Sequence, residues 1–131
     1  MKKMILMTLA CFCASIVLAQ DDKDAELKYF LLIGTPEPAV LQAALDNPAD
    51  FGEAAKKELE SLGGELLGYF FAMEHAKNYA LMALPGSEDM AALVYQRMAT
   101  GAMKNIEVVE LIPSDRMVEV FKQGQEIATK P

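Results

Sequence analysis

The chain has 131 residues, 53% of them hydrophobic, with 12 basic against 19 acidic residues and a net charge of −7. An acidic balance argues against nucleic acid as a partner, because phosphates call for a basic surface, and equally against anionic membrane surfaces. The length fits one domain once the first segment is set aside.

That segment, residues 1–19, reads as a cleaved secretory signal. Met1-Lys2-Lys3 is a basic start, Met4 to Leu18 is a nearly unbroken apolar run, and Val17-Leu18-Ala19 offers peptidase sites before the polar stretch Gln20-Asp21-Asp22-Lys23-Asp24. An uncleaved anchor is the alternative, but the run falls short of the roughly 20 apolar residues that a spanning helix needs. A lipoprotein site at Cys11 would leave Phe12 to Leu18 exposed on the mature end. Export to the periplasm or medium is therefore expected, with no membrane attachment after cleavage. Cleavage after Ala19 would leave 112 residues, no cysteine and a net charge of −9. Without disulfides, core packing and association have to supply the stability.

Residues 20–27 are charged and expected to fray. A domain over residues 28–123 follows, and then a tail, 124–131. A strand is expected at Lys28–Ile33, then a turn through Gly34-Thr35-Pro36-Glu37 into a short helix, Pro38–Leu45. Pro48 disfavours helical geometry at Asn47 and separates off a second helix, Ala49–Leu62. Phe51, Ala55, Leu59 and Leu62 form its apolar stripe, and Gly63-Gly64 is its left-handed stop.

The next strand is expected at Glu65–Met73, with Leu67, Tyr69, Phe71 and Met73 on one side and Leu66, Phe70 and Ala72 on the other. Glu74-His75-Ala76-Lys77-Asn78 is a polar break of hairpin length before a strand at Tyr79–Leu84. Pro85-Gly86-Ser87 leads into a helix with Ser87 as N-cap and Ala91, Val94, Tyr95 and Met98 inward, closed by Gly101. A strand at Ile106–Leu111 and a helix from Pro113-Ser114-Asp115 to about Gln123 complete the order, with Met117, Val120 and Phe121 inward.

The order β-α-β-β-α-β plus a helix is the ferredoxin-like α+β topology, in which helices cover one face of an antiparallel sheet. Three of the four strands are nevertheless apolar on both faces. A sheet covered on one side only should alternate apolar with polar. A second copy is expected to cover the other face, giving a homodimer.

Asn47-Pro48, Glu58-Leu59-Glu60-Ser61-Leu62-Gly63-Gly64, Leu67-Gly68-Tyr69-Phe70-Phe71, Lys104-Asn105-Ile106-Glu107 and Leu111-Ile112-Pro113, in this order, resemble the GYD-domain family over roughly Tyr29 to Lys122. The resemblance implies the dimeric α+β barrel, two ferredoxin-like sheets packed face to face. The Gly-x-Tyr-Asp signature belongs in the turn after the second strand. Here Glu74, Ala76 and Lys77 stand at its Gly, Tyr and Asp positions. Any role of that Tyr and Asp does not transfer.

Candidate chemistry is sparse. His75, the one histidine, is a weak candidate for a general base because its ordinary pKa lies near neutrality. The plainer reading, a solvated hairpin residue, is favoured because no orienting partner stands out. Tyr69, Phe71, Met73, Tyr79 and Tyr95 are candidates for an apolar ligand pocket or dimer face, against ordinary packing. Met73, Met82, Met90, Met98, Met103 and Met117 show no Met-x-Met or Met-x-x-Met cluster for Cu(I), and histidine and cysteine are too few for zinc. No cofactor is called for. The sequence thus points to an exported, homodimeric, non-catalytic binding or accessory protein whose ligand it does not name, a small apolar molecule being one candidate. A cofactor-independent oxygenase- or isomerase-like enzyme, of the kind known in the barrel group, is the alternative. An envelope structural or interaction protein is the second.

Overall fold

A computed structural model of the chain describes residues 26–130; the expected signal segment, 1–19, and most of the segment up to 27 lie outside the described residues. The elements run β1 (Lys28–Pro36), α1 (Pro38–Asp46), α2 (Phe51–Ser61), β2 (Glu65–Phe71), β3 (Asn78–Leu84), α3 (Ser87–Ala99), β4 (Met103–Leu111) and α4 (Met117–Thr129). The strands form one antiparallel sheet in the order β2-β3-β1-β4. This is the ferredoxin-like α+β arrangement with an added C-terminal helix.

Both outer joins depart from the sequence expectation for a pairing reason. The β1 ladder with β4 continues through Gly34↔Ile106 and Thr35↔Asn105 to Pro36↔Met103, where its register shifts. The expected turn at Gly34–Pro36 is thus strand, and β4 starts at Met103 rather than Ile106. Once an antiparallel partner is available, the hydrogen bonds gained override the turn preference of Gly-Thr-Pro.

Helices α2 and α3 lie on one face. The Asp50 carboxylate accepts from the backbone N–H groups of Gly52 (2.8 Å) and Glu53 (3.3 Å), capping α2. Gly63, at φ 74°, takes the left-handed stop. The following Gly64 lets strand and helix meet, since a Cβ there would lie 2.5 Å from the Ala83 carbonyl and 2.7 Å from Leu84. Leu59 packs with Phe30, Leu32, Ala80, Met82, Leu84, Met90 and Leu93 in the core.

Two phase errors are corrected here. In β2 the register slips between Leu66 and Gly68, a bulge that makes Leu67 the extra residue. Leu66 opposes Met82, Tyr69 opposes Ala80 and Phe71 opposes Asn78, so these three share the helix-covered face, while Phe70 opposes Tyr79 on the other. In α3 the buried positions are Met90 and Leu93, not Ala91, Tyr95 and Met98, which are exposed. Its inward stripe runs Met90, Leu93, Val94, Arg97. Gly86, rather than Ser87, is the N-cap, and the Ser87 hydroxyl instead accepts from the Lys28 ammonium at 3.0 Å.

The opposite face carries Tyr29, Leu31 and Ile33 beside Ala83, Leu81 and Tyr79, with Val109 and Leu111 from β4 and Phe70 from β2. Among the described residues no helix lies across it, and Tyr29, Leu31, Ile33, Tyr79 and Leu81 are half-buried. Helix α4 buries none of its residues, and Val120 and Phe121, expected inward, are 40% and 69% exposed. It stands off the end of the sheet beyond Tyr29 and Leu111, bounding an open cleft of about 500 Å³ that Lys28, Glu110, Arg116 and Glu119 also line.

Candidate functional site

The helix-covered face contains a cavity of about 110 Å³ between the sheet and the three helices α1 to α3. Leu32 and Ile106 form its sheet floor, and Val40, Phe51, Ala55 and Leu93 its helical walls. It exists because small residues sit where larger ones would close it. Ala54 and Ala55 face it from α2, and Ala102 from the turn before β4.

Four polar side chains, Glu58, Tyr69, Asn78 and Arg97, interrupt this apolar wall. Asn78 opens β3 on the same side as Ala80 and Met82 and is only 2% exposed. Its Nδ2 donates to the Tyr69 hydroxyl at 2.7 Å. Its Oδ1 is buried and has no partner among the described residues. Directly across the ladder lies Gly34, where a Cβ would come 2.6 Å from that Oδ1 and 3.1 Å from the Met103 sulfur. The amide fills space that only glycine leaves. Arg97 of α3 and Glu58 of α2 form an ion pair between the helices, and both line the cavity. Burial pushes the Tyr69 phenol above its usual pKa, and the hydrogen bond from Asn78 and the nearby Arg97 charge pull more weakly the other way.

The sequence candidates do not converge. Tyr69 lies in the cavity wall. Phe71 stands beside it, its ring 5.5 Å from Tyr69 and 6.0 Å from Phe51, edge-on to the latter, and is 58% exposed. Tyr79 is on the opposite, uncovered face. Tyr95 is on the outer side of α3, 76% exposed, beside a shallow groove with Met98 and Val108. Met73 is fully exposed. His75 is exposed in the β2–β3 turn, where its carbonyl accepts from the Lys77 N–H, and it does not line the cavity. Of the replaced signature residues, Glu74 and Ala76 are exposed, and the Lys77 ammonium lies 3.8 Å from Glu107.

Asn78, Glu58 and Arg97 were not singled out by the sequence. Asn78 had a readable signal, two residues before Ala80 and so on the same strand face, but it followed four residues of a polar turn. Among the described residues there is no cluster of three or more metal-ligating side chains, and no helix long and apolar enough to cross a membrane.

The GYD domain matches residues 30–121, which is most of the chain: all but the first two residues of the sheet, α1 to α3 and the start of α4. The chain belongs to the GYD-domain family. No curated protein and no solved structure matches it. The family's signature turn is the part this member has replaced, and its cavity lies elsewhere, under α2.

Proposed function

We propose that this GYD-domain protein is an exported, homodimeric binding protein for a small apolar molecule, without catalysis of its own. The observation that carries the reading is the cavity beneath α2. Ligand sites are concave, mostly apolar and furnished with a few placed polar groups, and this cavity has that composition. Nothing in its wall makes a nucleophile and base. Glu58 and Arg97 are committed to each other, and His75, the residue on which the enzymatic alternative rested, is on the far side of a hairpin turn in solvent. Export is supported by the pattern of residues 1–19.

The homodimer is supported by the uncovered sheet face. Tyr29, Leu31, Ile33, Tyr79, Leu81 and Val109 form a continuous apolar surface with no helix over it among the described residues. At about 25 cal/mol per Å², covering a few hundred Å² would contribute on the order of 10 kcal/mol before association costs. A second copy presents the same surface, so a two-fold pairing of the two sheets is self-complementary.

Titration of the full mature protein with benzene, followed by methyl resonances, tests the binding reading. Saturable shifts are expected at Leu32, Met82 and Leu93, which line the cavity. An absence of saturable shifts there up to the solubility of benzene would overturn it.

A further inference from the structure

We infer that the cavity selects an uncharged molecule of single-ring size that donates one hydrogen bond, from a hydroxyl or an N–H, to Asn78 Oδ1. This rests on the binding reading above and specifies its ligand. The argument starts from an amide where packing alone asks for none. Along β3 the helix-covered positions are Asn78, Ala80, Met82 and Leu84, all buried. An aliphatic residue at 78 would continue the series. The chain instead places an amide there and keeps Gly34 across from it, so that the Oδ1 fits where a Cβ would lie 2.6 Å away.

Half of that amide is satisfied, through Nδ2 and the Tyr69 hydroxyl at 2.7 Å. The other half is an acceptor, buried and unpartnered among the described residues. Buried polar groups without partners are uncommon and each calls for an explanation. A ligand donor is one. The Tyr69 hydroxyl, already accepting from Asn78, gives its own proton to no described acceptor. The Tyr69 proton and Asn78 Oδ1 are thus both without a described partner, which suits a hydroxyl that both gives and takes a hydrogen bond. The phenol stays protonated at neutral pH, since burial moves its pKa upward.

Charge and size restrict the ligand further. The cavity's two charged side chains neutralise one another in the Arg97–Glu58 pair, so an ionic ligand would enter an apolar space with no counter-charge to spare. A volume of about 110 Å³ is comparable with the ~150 Å³ apolar cavity that accepts benzene in an engineered protein. Water is the rival occupant of such a space.

The test uses three molecules of nearly one shape. Phenol donates and accepts, pyridine only accepts, and benzene does neither. Each is titrated by calorimetry or methyl shifts against the full mature protein at pH 8. Phenol is expected to bind about tenfold more tightly than benzene or pyridine, the effect of one well-made hydrogen bond. In Asn78→Leu the advantage should fall below twofold while benzene still binds, which separates loss of the acceptor from loss of the fold. Phenol and benzene within twofold in the native protein would overturn the inference and indicate that water meets the amide, while leaving the apolar site in place. Tighter binding of pyridine would overturn it too, because the amide would then be presenting its NH₂. Failure of all three would remove the binding reading itself.

Discussion

The two faces of the sheet are built from similar residues and put to different use. On one, Phe30, Leu32, Met82 and Leu84 are locked under α2 and α3 around a small cavity. On the other, Tyr29, Leu31, Ile33 and Leu81, their immediate chain neighbours, are half-buried with no helix over them among the described residues. Alternating side chains along the same strands therefore serve two different faces, one packed under helices and one with no helix over it among the described residues. On the proposed reading the cavity-bearing face holds the ligand and the bare face meets the second copy.

Truncation on the covered face should have the largest effect. Leu84 has 0% exposure, so Leu84→Ala would destabilise the protein by about 2–5 kcal/mol, as lost transfer energy and a new void combine. The midpoint of urea unfolding measures it, and it should not depend on protein concentration beyond the wild-type dependence. A shift below 1 kcal/mol would mean that the covered face is not the close-packed core described.

Charge on the bare face should act through assembly. Leu31 faces away from the helices, between Leu81 and Val109, so Leu31→Glu would bury two carboxylates against each other in a two-fold dimer. Native mass measurement is expected to show a dimer for wild type and a monomer for the variant at micromolar concentration. The far-ultraviolet circular dichroism should be unchanged. A wild-type monomer would break the comparison outright, since the uncovered apolar surface would then be stable in water.

The difference between the faces was partly legible in the sequence. The strands announced themselves as apolar runs between Gly, Pro and charged turns, and α2 as a clean stripe ending at Gly63-Gly64, because these signals are local. The bulge at Leu67 was not legible. In Leu66-Leu67-Gly68-Tyr69-Phe70-Phe71 every candidate for either face is apolar or glycine, so a one-residue slip leaves no mark on the pattern. Its consequence was to bring Leu66 round to the same side as Tyr69. In α3 the inward stripe Met90, Leu93, Val94, Arg97 ends in an arginine, which an apolar pattern does not place inward. What turns that arginine inward is Glu58 on α2, some forty positions away in the chain. Asn78 was assigned to the turn before it for the same kind of reason, as its burial depends on Gly34 across the sheet. The features that shape the cavity are pairings between distant segments, and no single window of sequence contains them. Helix α4 was read as packed from its apolar positions, and it buries none of its residues. Amphipathic pattern shows that a face can be buried, not by what.

The smallest expected effect is a pH dependence that only the covered face should show. Burial raises the Tyr69 pKa in the folded protein, so the native state holds the phenolic proton more tightly than the unfolded chain, whose tyrosines titrate near 10. The stabilisation associated with that raised pKa is fully present below pH ~10 and is lost as pH rises through the folded value, because the unfolded state gives up its proton first. Tyr69→Phe removes the titrating group and keeps the ring. Unfolding midpoints measured from pH 8 to 11.5 should therefore fall more steeply for wild type than for Tyr69→Phe above pH ~10. Below that pH the two curves should run parallel. Lysine titration is common to both proteins and cancels in the difference. If instead Tyr69→Phe tracks wild type throughout, the phenol is as well solvated as an exposed one, and the wall in which it pairs with Asn78 is open to water.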